Sequence, residues 1–412
     1  ASIVVGTRAG AFVPLSALGL TVVVDEHDAA HKAPDAPRWH ARELAVQRSR
    51  IEGADCLLVS GAPSLESWAR LRSGEAIAEE AKAGRWPAVH RVDLRATPAD
   101  SSLSPGLGDA LREAGAAGRR ALLVVNRLGY GWGLGCAECG AVRRCSACRV
   151  ALTYRRGDRT LVCRLCGLRL RAASQCGRCR GRRLASLGLG TERVEDDVRR
   201  AVPGVRVARY DGDLSDEQAA AVRDGFRDGR IQVVVGTHMA LRLLADGPVD
   251  LAALVLADAT LSLPDFRAAE RTFQLAWHLA EGVAPRGSAW LQSYYPDHPA
   301  LEAVAVGARE TFYEREWAER RELGYPPARR MARILAAGRD ALSAIGRLAE
   351  QCRAERLTVL GPATLAGGRA EIAVLGGSEL LVALARVLEP LRGRRRLAAA
   401  RLSVDVDPVE LA

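Results

Sequence analysis

From Ser2 to Leu94 the chain alternates short, apolar, β-branched runs with amphipathic stretches. Ser2–Val5, Leu20–Val24, Cys56–Val59 and Val89–Leu94 have the length and composition of buried parallel strands. Between them, His40–Ile51 and Ser64–Arg72 repeat apolar residues at helical spacing. Such alternation predicts βαβ units in a doubly wound α/β sheet. Ala96–Leu107 is rich in Ser, Pro and Ala and reads as a linker. A second alternation follows, with strands expected at Ala121–Val125, Val205–Arg209, Gln232–Val235, Ala253–Leu256 and Ala289–Ser293. Its helices are expected from Thr191, over Ser215–Phe226 and over Asp265–Leu279.

From Pro299 the pattern changes. A helix rich in both charge signs runs to Arg321 and stops at Gly324-Tyr325-Pro326-Pro327. Strands at Met331–Ala336, Thr358–Leu360, Ala370–Leu375 and Arg401–Val406 then interleave with helices at Ala341–Arg353 and Glu379–Leu391. That order predicts a small α+β domain with its helices on one face. The expected organisation is a first lobe over 1–95, a linker over 96–107, a second lobe over 108–298 and a C-terminal domain over 299–412.

The second lobe is interrupted just after its first strand. Residues 136–183 hold eight of the ten cysteines, in four Cys-x-x-Cys pairs: Cys136/Cys139, Cys145/Cys148, Cys163/Cys166 and Cys176/Cys179. Two thiolates three positions apart grip one metal ion from a single tight turn, and two such turns complete a tetrahedral four-sulfur zinc site. Eight cysteines therefore predict two structural Zn²⁺ ions. A disulfide framework suits a short secreted chain better than one of 412 residues. Four turns allow three pairings. The 14 residues between Cys148 and Cys163 and the five between Cys139 and Cys145 favour a nested one. In it, Cys145, Cys148, Cys163 and Cys166 share an ion, and Cys136, Cys139, Cys176 and Cys179 close beneath.

Charge sharpens this picture. The same segment carries thirteen arginines against Glu138 and Asp158, enough to account for the net +10 of the whole chain. Lys32 and Lys82 are the only lysines, so a compositional bias explains arginine over lysine, but not its concentration here. A compact positive lobe points to a polyanion, most simply nucleic acid, with Arg143, Arg144, Arg155 and Arg156 as candidate contacts. The other reading of these arginines is a protein partner with an acidic surface.

Asp25 and Glu26 fall at the carboxyl end of a predicted strand, where open α/β sheets bind ligands. They are either Mg²⁺ ligands at a nucleotide phosphate or a solvated turn. No apolar run approaches the ~18–20 residues of a membrane span, and no leader is visible. A cytoplasmic, nucleoid-associated setting with reduced thiols is expected, with Cys56 and Cys352 as core residues. The chain opens on Ala1 and has no methionine before Met239, which suggests a fragment.

Two α/β lobes with an eight-cysteine insertion at this point resemble the PriA family of replication-restart helicases, also called primosomal protein N-prime. The likeness runs from midway through the family's first helicase lobe to its end. It is carried by Gly6-Thr7-Arg8, Trp39-His40-Ala41-Arg42-Glu43-Leu44-Ala45, Gly188-Leu189-Gly190-Thr191-Glu192 and Pro264-Asp265-Phe266-Arg267-Ala268-Ala269-Glu270-Arg271. Leu323-Gly324-Tyr325-Pro326-Pro327 and Asp405-Val406-Asp407-Pro408 extend it. The resemblance implies two RecA-like lobes, the first truncated, and the nested cysteine pairing. It also implies recognition of forked DNA and reloading of the replicative helicase with primosome partners.

The motor motifs depart from the family. Its Asp-Glu-Glu-His box reads Asp25-Glu26-His27, Ser-Ala-Thr reads Ser60-Gly61-Ala62, and Asn-Arg-Arg-Gly-Tyr reads Asn126-Arg127-Leu128-Gly129-Tyr130. Lys-Gly-His becomes Arg242-Leu243-Leu244. The motif that brings arginines to the γ-phosphate becomes the shorter His278–Arg286, with Glu281 where the first arginine belongs. The chain therefore reads as a scaffold without ATP-driven unwinding, and ATP and Mg²⁺ are not expected cofactors. The alternative is an ATP-dependent 3'-5' DNA helicase with its phosphate loop upstream of residue 1.

Overall fold

A computed structural model describes residues 3–80, 84–98, 101–126, 134–155, 158–186, 190–391 and 400–411. The chain divides into two compact units, one of 1–78, 164–168 and 317–412, the other of 79–163 and 169–316. In the first, β1 (Leu20–Val24) and β2 (Asp55–Val59) pair in parallel, from Leu20↔Asp55 to Val24↔Val59. Helix α1 (Ala41–Glu52) joins them, capped by His40 Nδ1 and closed by Gly53 in the left-handed region. Helix α2 (Leu65–Ser73) follows β2, with the Ser64 hydroxyl accepting from Ser67 N. Ile3–Val5 form no strand and Val5 is exposed, because a strand needs a paired neighbour and none of the described residues supplies one.

In the second unit β3 (Ala88–Asp93) begins the main sheet. It pairs in parallel with β13, the strand Val283–Ser293. The run read as a linker is packed rather than loose: Ser102, Leu103 and Ser104 are buried. Ser102 N donates to Asp197 Oδ2 (2.7 Å) and Ser104 N to Gln292 Oε1 (2.8 Å). Ser104 then caps α3 (Pro105–Ala116), which has Pro at its first position. The next strand, β4 (Ala121–Val124), is fully buried.

The cysteine segment lies between β4 and α4. It contains β5 (Leu134–Cys136), β6 (Thr153–Arg155), β7 (Thr160–Val162), β8 (Arg169–Arg171) and β9 (Leu184–Ser186). Beyond it come α4 (Thr191–Ala201), β10 (Val207–Tyr210), α5 (Asp216–Arg227), β11 (Val233–Gly236), β12 (Val249–Leu254), α6 (Asp258–Leu261) and α7 (Ala268–Glu281). The parallel sheet runs β10-β11-β4-β12-β13-β3. Alternate residues Ala121, Leu123, Val233, Val235, Leu251 and Ala253 face α3 and α4 through Leu107, Leu111, Val194 and Val198. Helix α7 packs against β12 and β13. Burial on both faces explains the continuous apolar runs.

The helix expected from Pro299 is two, α8 (Pro299–Val306) and α9 (Arg309–Leu323), broken at Gly307, whose φ is +67°. His298 Nδ1 caps α8 by accepting from Ala300 N. Burial, then Arg144 and Arg315, hold its pKa down at about 3. Protonation therefore favours the unfolded chain. Stability from this group is whole above about pH 6.5 and falls as pH drops toward 3. Asn keeps the cap without titrating. H298N should match the parent at pH 7.5 and exceed it increasingly below pH 6.5 in urea midpoint.

The C-terminal domain has β14 (Arg330–Ala337), α10 (Ala341–Ala354), β15 (Thr358–Leu365), β16 (Arg369–Gly376), α11 (Leu380–Leu388) and β17 (Arg401–Val406). Its antiparallel sheet runs β15-β16-β14-β17. Ile334, Ile372 and Val374 pack with Ile345 and Leu348 of α10 and Leu380 and Leu384 of α11, the expected helix-covered α+β arrangement. Lys32 Nζ meets Val406 O (2.5 Å), Asp407 O (3.1 Å) and Asp405 Oδ1 (3.0 Å). A compact ammonium reaches three oxygens that a planar guanidinium does not match. That is a reason for lysine here in a chain where arginine is the usual cation.

Candidate metal centres

Each Cys-x-x-Cys pair forms a tight turn, and in the first, second and fourth backbone N–H groups point at sulfur. Glu138 N reaches Cys136 Sγ at 3.4 Å, Cys148 N reaches Cys145 Sγ at 3.5 Å, and Arg178 N reaches Cys176 Sγ at 3.4 Å. The residue after the second cysteine of every turn is left-handed: Gly140 (φ +70°), Arg149 (+54°), Gly167 (+76°) and Arg180 (+61°). That conformation folds the chain back over the sulfurs.

Pairing of β5 with β9 sets Cys136 opposite Leu184 and closes the ends of the segment. The meander β6-β7-β8 forms its middle. The sulfurs gather in two groups, Cys136/Cys139/Cys176/Cys179 and Cys145/Cys148/Cys163/Cys166, each with its sulfurs within 4.8 Å of one another. These are the nested groups. Cys136 Sγ and Cys179 Sγ are 3.6 Å apart, and Cys139 Sγ and Cys176 Sγ 3.7 Å. A tetrahedron of sulfurs about 2.3 Å from zinc has edges of about 3.8 Å, so the donor set fits that ion. The first group is open, with Cys179 exposed, whereas three of the four thiols in the second are buried.

A cap that the sequence reading missed holds the outer group. Glu138 Oε1 accepts from Arg182 N (2.9 Å) and Arg183 N (3.1 Å), tying the first turn to the exit of the fourth. Two glycines are required by close approach. A Cβ on Gly140 would collide with the Tyr294 carbonyl oxygen, and one on Gly167 would lie 2.5 Å from Pro362 O. G140A therefore meets both a clash and an αL cost of roughly 1–2 kcal/mol. It should lower the melting temperature and weaken zinc retention against a chelator. R180G, at the matching place in the fourth turn, relieves that αL cost and should do neither.

The candidate arginines separate. Arg143 is exposed, with Nη1 beside Gly177 of the fourth turn. Arg144 donates to Arg149 O (3.2 Å) and Leu261 O (3.3 Å), fastening its turn to the last residue of α6. Arg155 is half-buried on β6, and Arg156 lies outside the described residues. Arg169 and Arg171 are exposed on β8; their Arg-Leu-Arg alternation is a strand signal the sequence reading passed over.

Among the motor residues, Asp25 ends β1 in the left-handed region (φ +49°). Glu26 is buried: Oε1 accepts from Ser64 N (2.6 Å), and Oε2 from Ser64 Oγ (2.9 Å) and Arg42 Nη1 (3.0 Å). His27 Nδ1 meets Ser60 Oγ at 2.7 Å, joining the Asp-Glu-His and Ser-Gly-Ala stretches. Helix α7 ends at Glu281 and β13 begins at Val283, with Arg286 exposed within the strand. Leu244 packs against Gly282, leaving no room for a Cβ there. Arg127 to Tyr130 lie outside the described residues.

Residues 321–409 match the family model of the primosomal protein N C-terminal domain. The replication restart protein PriA of Bacillus subtilis is 34% identical over 79% of this chain and 42% of its own length. That of Synechocystis is 31% identical over 99% of the chain and 53% of its length, and that of Haemophilus influenzae 32% over 88% and 52%. The chain spans about half the length of the curated relatives it matches. With the double cysteine centre inserted in a parallel α/β sheet and the C-terminal α+β domain behind it, the chain belongs to the PriA family of replication restart proteins and corresponds to that family's C-terminal part.

Proposed function

We propose that this chain is a DNA-binding component of the replication-restart primosome, acting in the cytoplasm at the nucleoid. It holds two zinc ions, recognises forked DNA and helps other primosome proteins and the loader return the replicative helicase to it. The observation that carries the reading is the cysteine module of a PriA-family chain: two four-sulfur groups under a segment of thirteen arginines and two acids. Zinc in such closed sites is structural. Arg143 and Arg155 contribute phosphate contacts, while Arg144 acts by anchoring its turn. The chain does not unwind DNA, a reading supported by the Glu26 carboxylate being held by Ser64 and Arg42 and by Glu281 standing in the shortened arginine motif. A retained Asp25-Glu26-His27 stretch, bonded to Ser60, favours the second reading of a working helicase.

The test is fork binding by the complete, zinc-loaded chain as salt is raised. Each neutralised phosphate adds about 0.9 to the log–log slope on duplex. R143A/R155A should flatten the slope by about 1–2 with zinc retained. Binding that ignores salt, or no fork binding at all, would overturn the DNA reading.

A further inference from the structure

Several exposed arginines elsewhere in the chain are matched to acids close by. Arg199 pairs with Glu195, Arg227 with Asp224, Arg353 with Glu350 and Arg386 with Glu355. On the β6-β7-β8 sheet the arginines gather on one face. Arg169 and Arg171 flank half-buried Leu170, so strand alternation sends both to one face. Cross-strand register puts Arg155, Thr160 and Arg171 in one row, and Thr153, Val162 and Arg169 in the next row on that face. Three arginines therefore share it. The acid of this hairpin, Asp158, lies within electrostatic reach of Arg155, and its Oδ1 accepts from Thr160 Oγ1 (2.7 Å) and Thr160 N (3.3 Å). Among the described residues, neither Arg169 nor Arg171 has an acidic partner. Among the described residues, β8 pairs with β7 alone.

Charge on an edge strand guards against unwanted strand pairing. That explains one cation on β8, but not two on the same face with Arg155 across the sheet from them. Arg169 and Arg171 are about 7 Å apart along the strand. Duplex DNA carries a charge every ~1.7 Å of its axis, so both can engage phosphates together. Tyr154 is the only aromatic residue of 136–183, and alternation puts it on the opposite face. Single-strand sites rely on aromatic platforms for stacked bases, and this face has none.

We infer that the face bearing Arg155, Arg169 and Arg171 docks the phosphate backbone of duplex DNA without reading its sequence. This rests on the DNA-binding reading above and specifies where and in which form the DNA is held. Phosphate contacts of this kind position a protein on DNA and leave the bases unread.

The experiment compares the complete, zinc-loaded chain with R169A/R171A and with R169K/R171K. Binding to a duplex and to a single strand of equal length is measured across salt, with zinc content and circular dichroism taken on each protein. The alanine pair should lower the duplex slope by about 2 and duplex affinity on the order of 10- to 30-fold at ~0.15 M salt. Single-strand binding should be unchanged, and the lysine pair should restore the duplex slope. Should the alanine pair lose zinc, R169Q/R171Q takes its place in the comparison. A parent that binds duplex with the same slope as the neutral pair overturns the inference and leaves DNA binding standing. Equal losses on single strand and duplex overturn the duplex assignment. Preference of this face for an acidic polypeptide such as polyglutamate over duplex overturns it in favour of a protein partner. A parent that binds no DNA overturns both this inference and the reading beneath it.

Discussion

Metal analysis of the purified chain should return two zinc ions, and C145S/C148S should return one. The sulfur separations of 3.6 and 3.7 Å in the outer group are those of a tetrahedral zinc thiolate, and the inner group gathers four thiols in the same way. The metal has much to hold together. The strands β5 to β9 are three residues each, and such short pieces with few apolar residues do not support a stable core alone. Structural zinc contributes roughly 10–16 kcal/mol of apparent binding energy to small modules at neutral pH. Losing the inner ion should therefore melt β6-β7-β8 and open 145–166 to proteases, while the six-stranded sheet survives. The groups should also differ in lability. Cys179 is exposed and the inner thiols are mostly buried, so a strong chelator should remove the outer ion first. Release in a single phase, or one ion or none in the parent, would contradict this account.

The protein that contains this chain should release phosphate from ATP more slowly than about 1 s⁻¹ when DNA is present, a rate below ordinary enzyme turnover. Phosphoryl transfer needs carboxylates on Mg²⁺, an oriented water and a cation at the γ-phosphate, and these act as a unit. Both oxygens of Glu26 are occupied by Ser64 and Arg42, so this carboxylate orients nothing until that buried cluster opens. At the far end of α7, Glu281 precedes a strand that begins two residues later, and Arg286 sits within that strand. A missing arginine finger alone costs about 10³–10⁵ in rate. D25A should leave the residual rate and fork binding unchanged. DNA-stimulated turnover above about 1 s⁻¹ that D25A abolishes would falsify the decayed-motor reading and restore the helicase.

Much of this molecule follows from its sequence alone. Four Cys-x-x-Cys turns carry their chemistry locally, because two sulfurs and their N–H donors lie within five residues. The C-terminal domain was legible for a related reason: every second residue of β14, β16 and β17 packs against helices with clear apolar stripes, so one period sets one face. The apolar runs of the parallel sheet announced strands, but not which strands pair. β3 reads like a member of the first α/β run and lies beside β13, nearly two hundred residues on, because parallel neighbours are chosen by crossovers and shared packing. The Ser- and Pro-rich run looked like a linker because the acceptors for its buried N–H groups, Asp197 and Gln292, are remote in sequence. Composition marked the arginine-rich segment but not its division of labour. Only the tertiary structure set the Arg144 guanidinium on two carbonyls and left Arg169 and Arg171 exposed and unmatched, since a side chain's partners depend on what folding brings beside it.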